Sequence, residues 1–321
     1  LCSTQSDCFD IFATVGALRS APAGNIINRF MRAYAEDADI AMRILFYARD
    51  IRGGLGERRT TRIIYKWLAY NHSESLKKNI RFIAELGRWD DMLVLLNTPC
   101  HESAVEVMRA QLTEDLMTEN TEGISLLAKW LPSVNTSNRE TVKLGKMLAK
   151  EFGMSEAVYR KTLSSLRARI KIIENNLREK DYTFDYEKQP SKALFKDRHA
   201  FLRNDCERYK EYILRVAAGE AKLNTGTLTP CDIIAPIVSG GRTFSISEED
   251  RQVLDTTWKA QENFAGNENA LAVVDGSGSM YWGDAPLPAS VAQSLAIYFA
   301  ERNKGRFANH FITFSHEPRL I

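Results

Sequence analysis

"ALAVVDGSGSM", residues 270–280, decides how the C-terminal part of the chain reads. Its first half is small and apolar, and short enough to be a buried strand. The run ends on a carboxylate, Asp275, followed by two hydroxyls, Ser277 and Ser279, set between glycines that let the backbone bend sharply. Ligands of a parallel α/β sheet gather at the carboxyl ends of its strands. One carboxylate with two hydroxyls is a set of hard oxygen donors suited to Mg²⁺ or another divalent cation, which would keep several waters. The plainer alternative is a strand-to-helix turn whose serines cap the next helix.

Outward from this loop the pattern is strand, helix, strand. Ala289 to Arg302 reads as a helix and "HFITFS" (310–315) as a second strand, a parallel βαβ unit that starts a Rossmann-like α/β domain. Two strands make no stable sheet alone. With an end inside an apolar stretch at Ile321 and no initiator Met at Leu1, the chain reads as a piece of a longer polypeptide. The composition changes at "NFAGNENA" (263–270), which divides the chain into domains 1–265 and 266–321.

Before that break the period is helical. Phe9, Phe12 and Gly16 begin one stripe, Ile44, Leu45 and Ala48 a second, and Ile63, Ile64, Trp67 and Leu68 a third. Leu76, Ile80, Ile83 and Ala84 follow, then Leu144, Met147, Leu148 and Phe152, then Tyr159, Leu163, Leu166 and Ile170. Spacings of three and four put each set on one face of a helix. Gly53-Gly54, Gly87, Pro99, Pro132 and Gly153 punctuate them. A short helix is expected to start within "NTGTLTPCD" (224–232), and 237–250 reads as a loop leading to a helix capped by Ser247. No clean repeat is present. The expected fold is therefore mainly α: an irregular α-solenoid of HEAT-like helix pairs, open or closed into a ring, followed by the α/β start.

With 321 residues, 44% of them hydrophobic, the chain is long enough for two domains and a sizeable core. No run is long enough to cross a bilayer, and the N-terminus lacks a signal pattern. Five scattered cysteines without a C-x-x-C pair favour reduced thiols and a cytoplasmic location. The formal charge of +2 hides segregated blocks: residues 43–66 hold seven Lys/Arg against two acids, and 129–172 hold ten against three. Residues 101–122 hold six acids against Arg109 alone. Such segregation can build a positive face for an anionic partner; alternatively, the cations simply solvate outer helix faces.

The Asp-x-Ser-x-Ser loop after a buried strand resembles the metal-ion-dependent adhesion site of von Willebrand factor A domains, over about residues 268–321. The resemblance implies that Asp275, Ser277 and Ser279 share a divalent ion with a Thr and an Asp on later loops, which this chain does not contain. It also implies that the ion bridges to a partner's carboxylate and is not a catalyst. A helical array joined to such a domain resembles the Ro autoantigen family, of the TROVE class (telomerase, Ro and vault proteins). The stretches concerned are "LFYARDIRGGLGERR" (45–59), "ELGRWDDMLVLL" (85–96), 127–167 and "PSKALFKDRHAFLRND" (190–205). They look most similar to a Ro-like bacterial and plant group known mainly as a domain of unknown function. Ro proteins form a ring of helical repeats that binds single-stranded RNA ends and small structured RNA, so the resemblance implies RNA as partner.

The basic blocks supply candidate contacts. Arg49, Arg52, Arg58, Arg59 and Arg62 flank the Gly53-Gly54 break. Lys129, Arg139 and Lys143 flank the polar turn "PSVNTSN" (132–138), with Arg160, Lys161, Arg167 and Arg169 on the next helix and Lys196 further on. Arg and Lys neutralise phosphates, and Asn, Ser and Thr bond backbone or base edges. Trp89 and Trp130 sit beside basic residues, as stacking platforms or, more in keeping with their type, core anchors. "GGLGERR" lacks the Lys-Ser/Thr ending of a phosphate loop and reads as a helix–helix turn. Asp90 of "RWDD" (88–91) is expected to cap the helix after it. The five histidines are dispersed, and the adjacent Cys100-His101 suits no nucleophile–base pair. No constellation demands an enzyme, and a Mg²⁺-dependent hydrolase has one carboxylate per visible loop to rest on. Two readings remain: an RNA-binding scaffold carrying a cation loop, or a protein-interaction adaptor that grips a carboxylate through the ion without RNA. A membrane plays no part in either.

Overall fold

Apolar residues three and four apart build the first unit, Leu1–Asn175, from the inside. The structure is a computed structural model describing residues 5–170, 172–239, 246–266, 269–283, 286–314 and 316–321. Helices α1 (Asp7–Thr14), α2 (Ala23–Glu36), α3 (Ala38–Arg49) and α4 (Arg59–Asn71) pack α2 against each of the other three. Their start signals are local: the Ser6 side chain accepts from the Phe9 N–H, and Asp37 accepts from the Ile40 N–H at 2.9 Å. The buried stripe of α1 is Cys8 and Ile11, continued by Val15 and Leu18 in a 3₁₀ turn. Phe9 and Phe12 are 56% and 48% exposed, so the sequence reading chose the wrong face of this helix. Phe12 instead lies 5.7 Å from the Tyr47 ring. The face that includes Ile11 wins because Ile26, Phe30 and Ala33 of α2 supply its partner surface.

Helix α5 (Ser73–Asn79) leads into a π-type turn, Ile83–Gly87, then a 3₁₀ helix, Trp89–Leu95. After them come α6 (His101–Met117), the single turn α7 (Leu127–Trp130), α8 (Arg139–Glu151) and α9 (Glu156–Arg169), and α10 (Ile173–Glu179) carries the chain from this unit into the next. The 3₁₀ helix packs on α4 and α6, α7 on α6 and α9, and α8 on α9. Leu76, Ile83, Leu148, Tyr159, Leu163, Leu166 and Ile170 are all buried, as their spacing requires. Each such aliphatic side chain contributes about 1.5–3 kcal/mol by leaving water.

The second unit, Asn176–Ile321, joins helices and sheet. Helices α11 (Ser191–Asn204), α12 (Cys206–Ala217), α13 (Pro230–Ser239) and α14 (Glu248–Lys259) come first. The Ser247 side chain accepts from the Asp250 N–H, the expected cap, while residues 240–245 of the expected loop lie outside the described residues. Tyr186, Phe201, Tyr209 and Tyr212 form an aromatic cluster, and Arg198 Nε donates to the buried Asp250 at 2.7 Å.

Strand β1 (Ala272–Asp275), a 3₁₀ turn (Gly278–Tyr281), α15 (Pro288–Arg302), β2 (Phe311–Phe314) and β3 (Arg319–Leu320) follow. β1 and β2 are parallel, pairing Val273 with Ile312 and Asp275 with Phe314, and β3 adds antiparallel to β2. This is the expected strand–helix–strand unit. The composition break near 265 falls within this second unit, because α15 packs on α13 as well as on β1. Trp258 Nε1 donates to Glu301 at 2.6 Å, and the Tyr298 hydroxyl donates to the Glu262 carbonyl at 2.6 Å. The fold is thus mainly helical with one small C-terminal sheet. No helix among the described residues is long and apolar enough to cross a membrane.

Candidate nucleic-acid interface and cation loop

Two buried charges organise the middle of the first unit. Arg49, 2% exposed, closes α3, and its Nε donates to Asp91 at 2.7 Å. Asp91 is fully buried and also accepts Arg62 Nε at 2.6 Å and the Arg88 backbone N–H at 2.9 Å. Asp90 beside it takes the Arg88 guanidinium and pairs with Arg62 at 2.7 Å. It caps no helix: the carboxylate bonding the open N-terminal N–H of the 3₁₀ helix is that of Asp91. Burial pushes the Asp90 carboxyl up, but the Arg88 and Arg62 hydrogen bonds outweigh it and hold the group below its ordinary range. Gly87 has no alternative here, since a Cβ would stand 2.6 Å from Asp91 Oδ2 and 3.1 Å from Arg49 Nε.

This network reassigns part of the basic block. Arg49 and Arg62 are spent on Asp91 and Asp90 and hold the fold. Arg52 is exposed and donates to the Glu85 carbonyl at 2.9 Å, and Arg59, also exposed, donates to the Ala21 carbonyl at 2.8 Å. Arg58 is exposed and makes no ion pair among the described residues. Lys129 pairs with Glu174 at 2.8 Å. Trp89 and Trp130 are half-buried, and the Arg88 guanidinium lies 3.7 Å from the centre of the Trp130 ring.

The second basic block forms a face. Arg139, Lys143, Lys146 and Lys150 recur at spacings of four, three and four along α8, and all four are exposed. Lys146 and Lys150 were missing from the sequence-derived set, although the helical period that carries Arg139 and Lys143 also reaches them. Lys143 pairs with Glu140 and Lys146 with Glu156, both at the surface. Arg139 and Lys150, like the exposed Arg160 and Lys161 of α9, make no ion pair among the described residues.

Arg167 is a different case. Its guanidinium donates to the Ala128 carbonyl, the Leu131 carbonyl and Ser133 Oγ at 2.7–2.8 Å, which pins the turn 132–138 from beneath. The Tyr159 hydroxyl donates to the Pro132 carbonyl, and Gly145 lets α8 come so close that a Cβ would meet that same carbonyl at 3.0 Å. Burial lowers the Arg167 pKa, yet the guanidinium stays charged. Arg167 is therefore a structural clamp and not a surface contact. It holds Asn135, Thr136 and Ser137 exposed between Trp130 and the α8 stripe. Lys196 is exposed on α11, in the second unit.

The Asp275 loop follows a strand, as its sequence suggests. Asp275 is the last residue of β1, at the carboxyl end of the parallel pair, and the ladder continues as Gly276 N–H donates to the Phe314 carbonyl at 2.7 Å. Asp275 Oδ1 accepts the Ser277 N–H at 2.8 Å, and Ser277 Oγ stands 3.1 Å from Ser279 Oγ. The Ser277 backbone bond, then its side chain, hold the Asp275 carboxyl below its ordinary range, so it presents a full negative charge. The loop thus carries two adjacent hydroxyls next to the Asp275 carboxylate, donor types that suit a hard divalent cation. No group of three or more His, Cys, Asp or Glu among the described residues could hold a metal. A cation here would use one carboxylate, two hydroxyls and water.

A family profile described as a domain of unknown function, DUF2828, matches residues 1–114 and 101–262. The chain belongs to the DUF2828 family. The match takes in the Asp91 network and the α8–α9 face of this DUF2828 chain and ends before the Asp275 loop. A relative, the uncharacterized protein L728 of Acanthamoeba polyphaga mimivirus, is 29% identical over 357 residues. That alignment covers 98% of this chain and 60% of the relative's length. No solved structure matches the chain.

Proposed function

We propose that this DUF2828 chain is an RNA-binding scaffold whose partner is a small noncoding RNA or a single-stranded RNA end. The observation that carries the reading is the exposed face of α8 and α9. Four cations recur on one side of α8, two more follow on α9, and a clamped polar turn stands beside them. Lys and Arg positioned this way neutralise phosphates, and the turn's Asn, Thr and Ser can bond sugar, backbone or base edges. The helix pairs then form an irregular solenoid of the Ro-like kind. The Asp275–Ser277–Ser279 loop carries Mg²⁺ or another divalent cation in the manner of a von Willebrand factor A domain, with no catalytic step.

RNA recovered with natively purified protein, and retention of single-stranded and hairpin RNAs on a gel, test this reading. Arg139→Ala, Lys150→Ala, Arg160→Ala and Lys161→Ala combined should abolish retention while leaving the fold intact. Equal retention by that variant, or no RNA with the native protein, overturns it. The adaptor reading draws on the carboxylate and the two hydroxyls of the Asp275 loop. It predicts instead that Asp275→Ala or a chelator removes a protein partner and that RNA has no effect.

A further inference from the structure

A groove of about 800 Å³ opens on the first unit, within the size range of small-ligand sites. Trp89 and Trp130 line it, with three cations, Arg52, Arg81 and Arg88, against two acids, Glu85 and Glu114, and with Leu126, which is 43% exposed. None of the residues of the α8–α9 face takes part in it.

Its wall is built from unusual parts. Ala84, Glu85 and Gly87 of the π-type turn line the groove, and π-turns concentrate at functional sites because they displace backbone from the regular ladder. Behind the turn stands the Arg49–Asp91 pair, which leaves no room for any side chain at residue 87. Asp90 and Asp91 hold Arg88 from two directions, through its guanidinium and its backbone N–H. Held this way, the guanidinium covers the Trp130 ring at 3.7 Å. The result is a guanidinium stacked on an indole, with Trp89 also in the lining of the groove. Arg52 and Arg81, both exposed, bring further positive charge to the groove.

Unpaired bases stack on aromatic rings and on arginine planes, and their phosphates seek arginines. We propose that this groove holds one unpaired nucleotide of a single-stranded RNA, its base against the Trp89–Trp130 wall and its phosphate on Arg52 and Arg81. The proposal rests on the RNA reading and adds a second, separate contact to it. The α8–α9 face supplies charge along the strand; the groove supplies a seat for a base.

Photocrosslinking of the full chain to a ten-nucleotide single strand carrying 4-thiouridine, followed by peptide mapping, tests it. Labelling within 84–96 or 124–131 is expected. Leu126→Glu, which places a negative charge on the groove from an exposed position, should weaken both labelling and binding about tenfold, the scale of one lost base stack. Excess adenosine monophosphate forms a second arm. If it displaces the groove label, the seat also accepts a free nucleotide; if it does not, the seat requires a strand, and both results retain the nucleotide chemistry. Labels confined to 139–169, unaffected by Leu126→Glu, overturn the groove while leaving the RNA reading in place. No binding of any oligonucleotide overturns both.

Discussion

Asp91→Asn removes one charge from the centre of the first unit with almost no change of shape. The carboxylate is fully buried and accepts three donors, two of them arginine Nε groups at 2.6 and 2.7 Å. Arg49 has no route to water, being 2% exposed. Loss of its partner leaves a buried guanidinium uncompensated, which costs about 3–5 kcal/mol. That is a large part of the roughly 5–15 kcal/mol by which a domain is stable. Urea unfolding followed by tryptophan fluorescence measures it as a fall in midpoint at unchanged slope. Asp90→Asn is the control, because that side chain is 17% exposed and its loss strands no fully buried charge. It should cost about 1.5–3 kcal/mol, the scale of a hydrogen bond to a charged group. If Asp91→Asn costs no more than Asp90→Asn, the network is not what holds the π-type turn and its groove.

Asp90 also sets a pH dependence. Its carboxyl lies below the ordinary range when folded, so its contribution is fully present above about pH 4 and is lost as pH falls through the depressed value. The urea midpoint should drop below pH 4, and Asp90→Asn should flatten that drop. Arg167→Lys removes the fork that reaches two carbonyls and one hydroxyl, so it should cost about 2–4 kcal/mol. Hydrogen exchange should show faster opening of residues 128–138, with α11 and α12 unchanged. Asp275→Ala alters an exposed group, so stability should stay within about 0.5 kcal/mol while divalent-cation binding, followed with Mn²⁺ by spin resonance, disappears.

Much of the fold is legible because periodicity is local. The Tyr159, Leu163, Leu166 and Ile170 stripe is buried, and the strand ending at Asp275 with its helix and parallel partner stands as read. Phe9 and Phe12 misled because α1 offers two apolar stripes, and only the packing of α2 selects between them. The basic residues were legible as a block and not as individuals. Arg49, Arg62 and Arg167 look like Arg139 and Arg160 in sequence. The first two meet Asp90 and Asp91 only through contacts 28–42 residues apart, and Arg167 meets its carbonyls in the same way. Asp90 and Asp91 could not be told apart either, since only three-dimensional packing makes one a hub and the other its rim. The groove was invisible for the same reason: a π-type turn has no sequence signature comparable to a cap or a heptad.

The most direct test of RNA binding by the α8–α9 face is the salt dependence of affinity for a single-stranded RNA, wild type against the fourfold alanine variant. Four phosphate contacts give a slope of log affinity on log salt near −3, or about a 50-fold loss between 50 and 200 mM salt. The wild-type chain should show at least that slope, and the variant should lose about 3 units of it. Affinity that ignores salt, or a slope the four substitutions leave unchanged, would contradict RNA binding by this face.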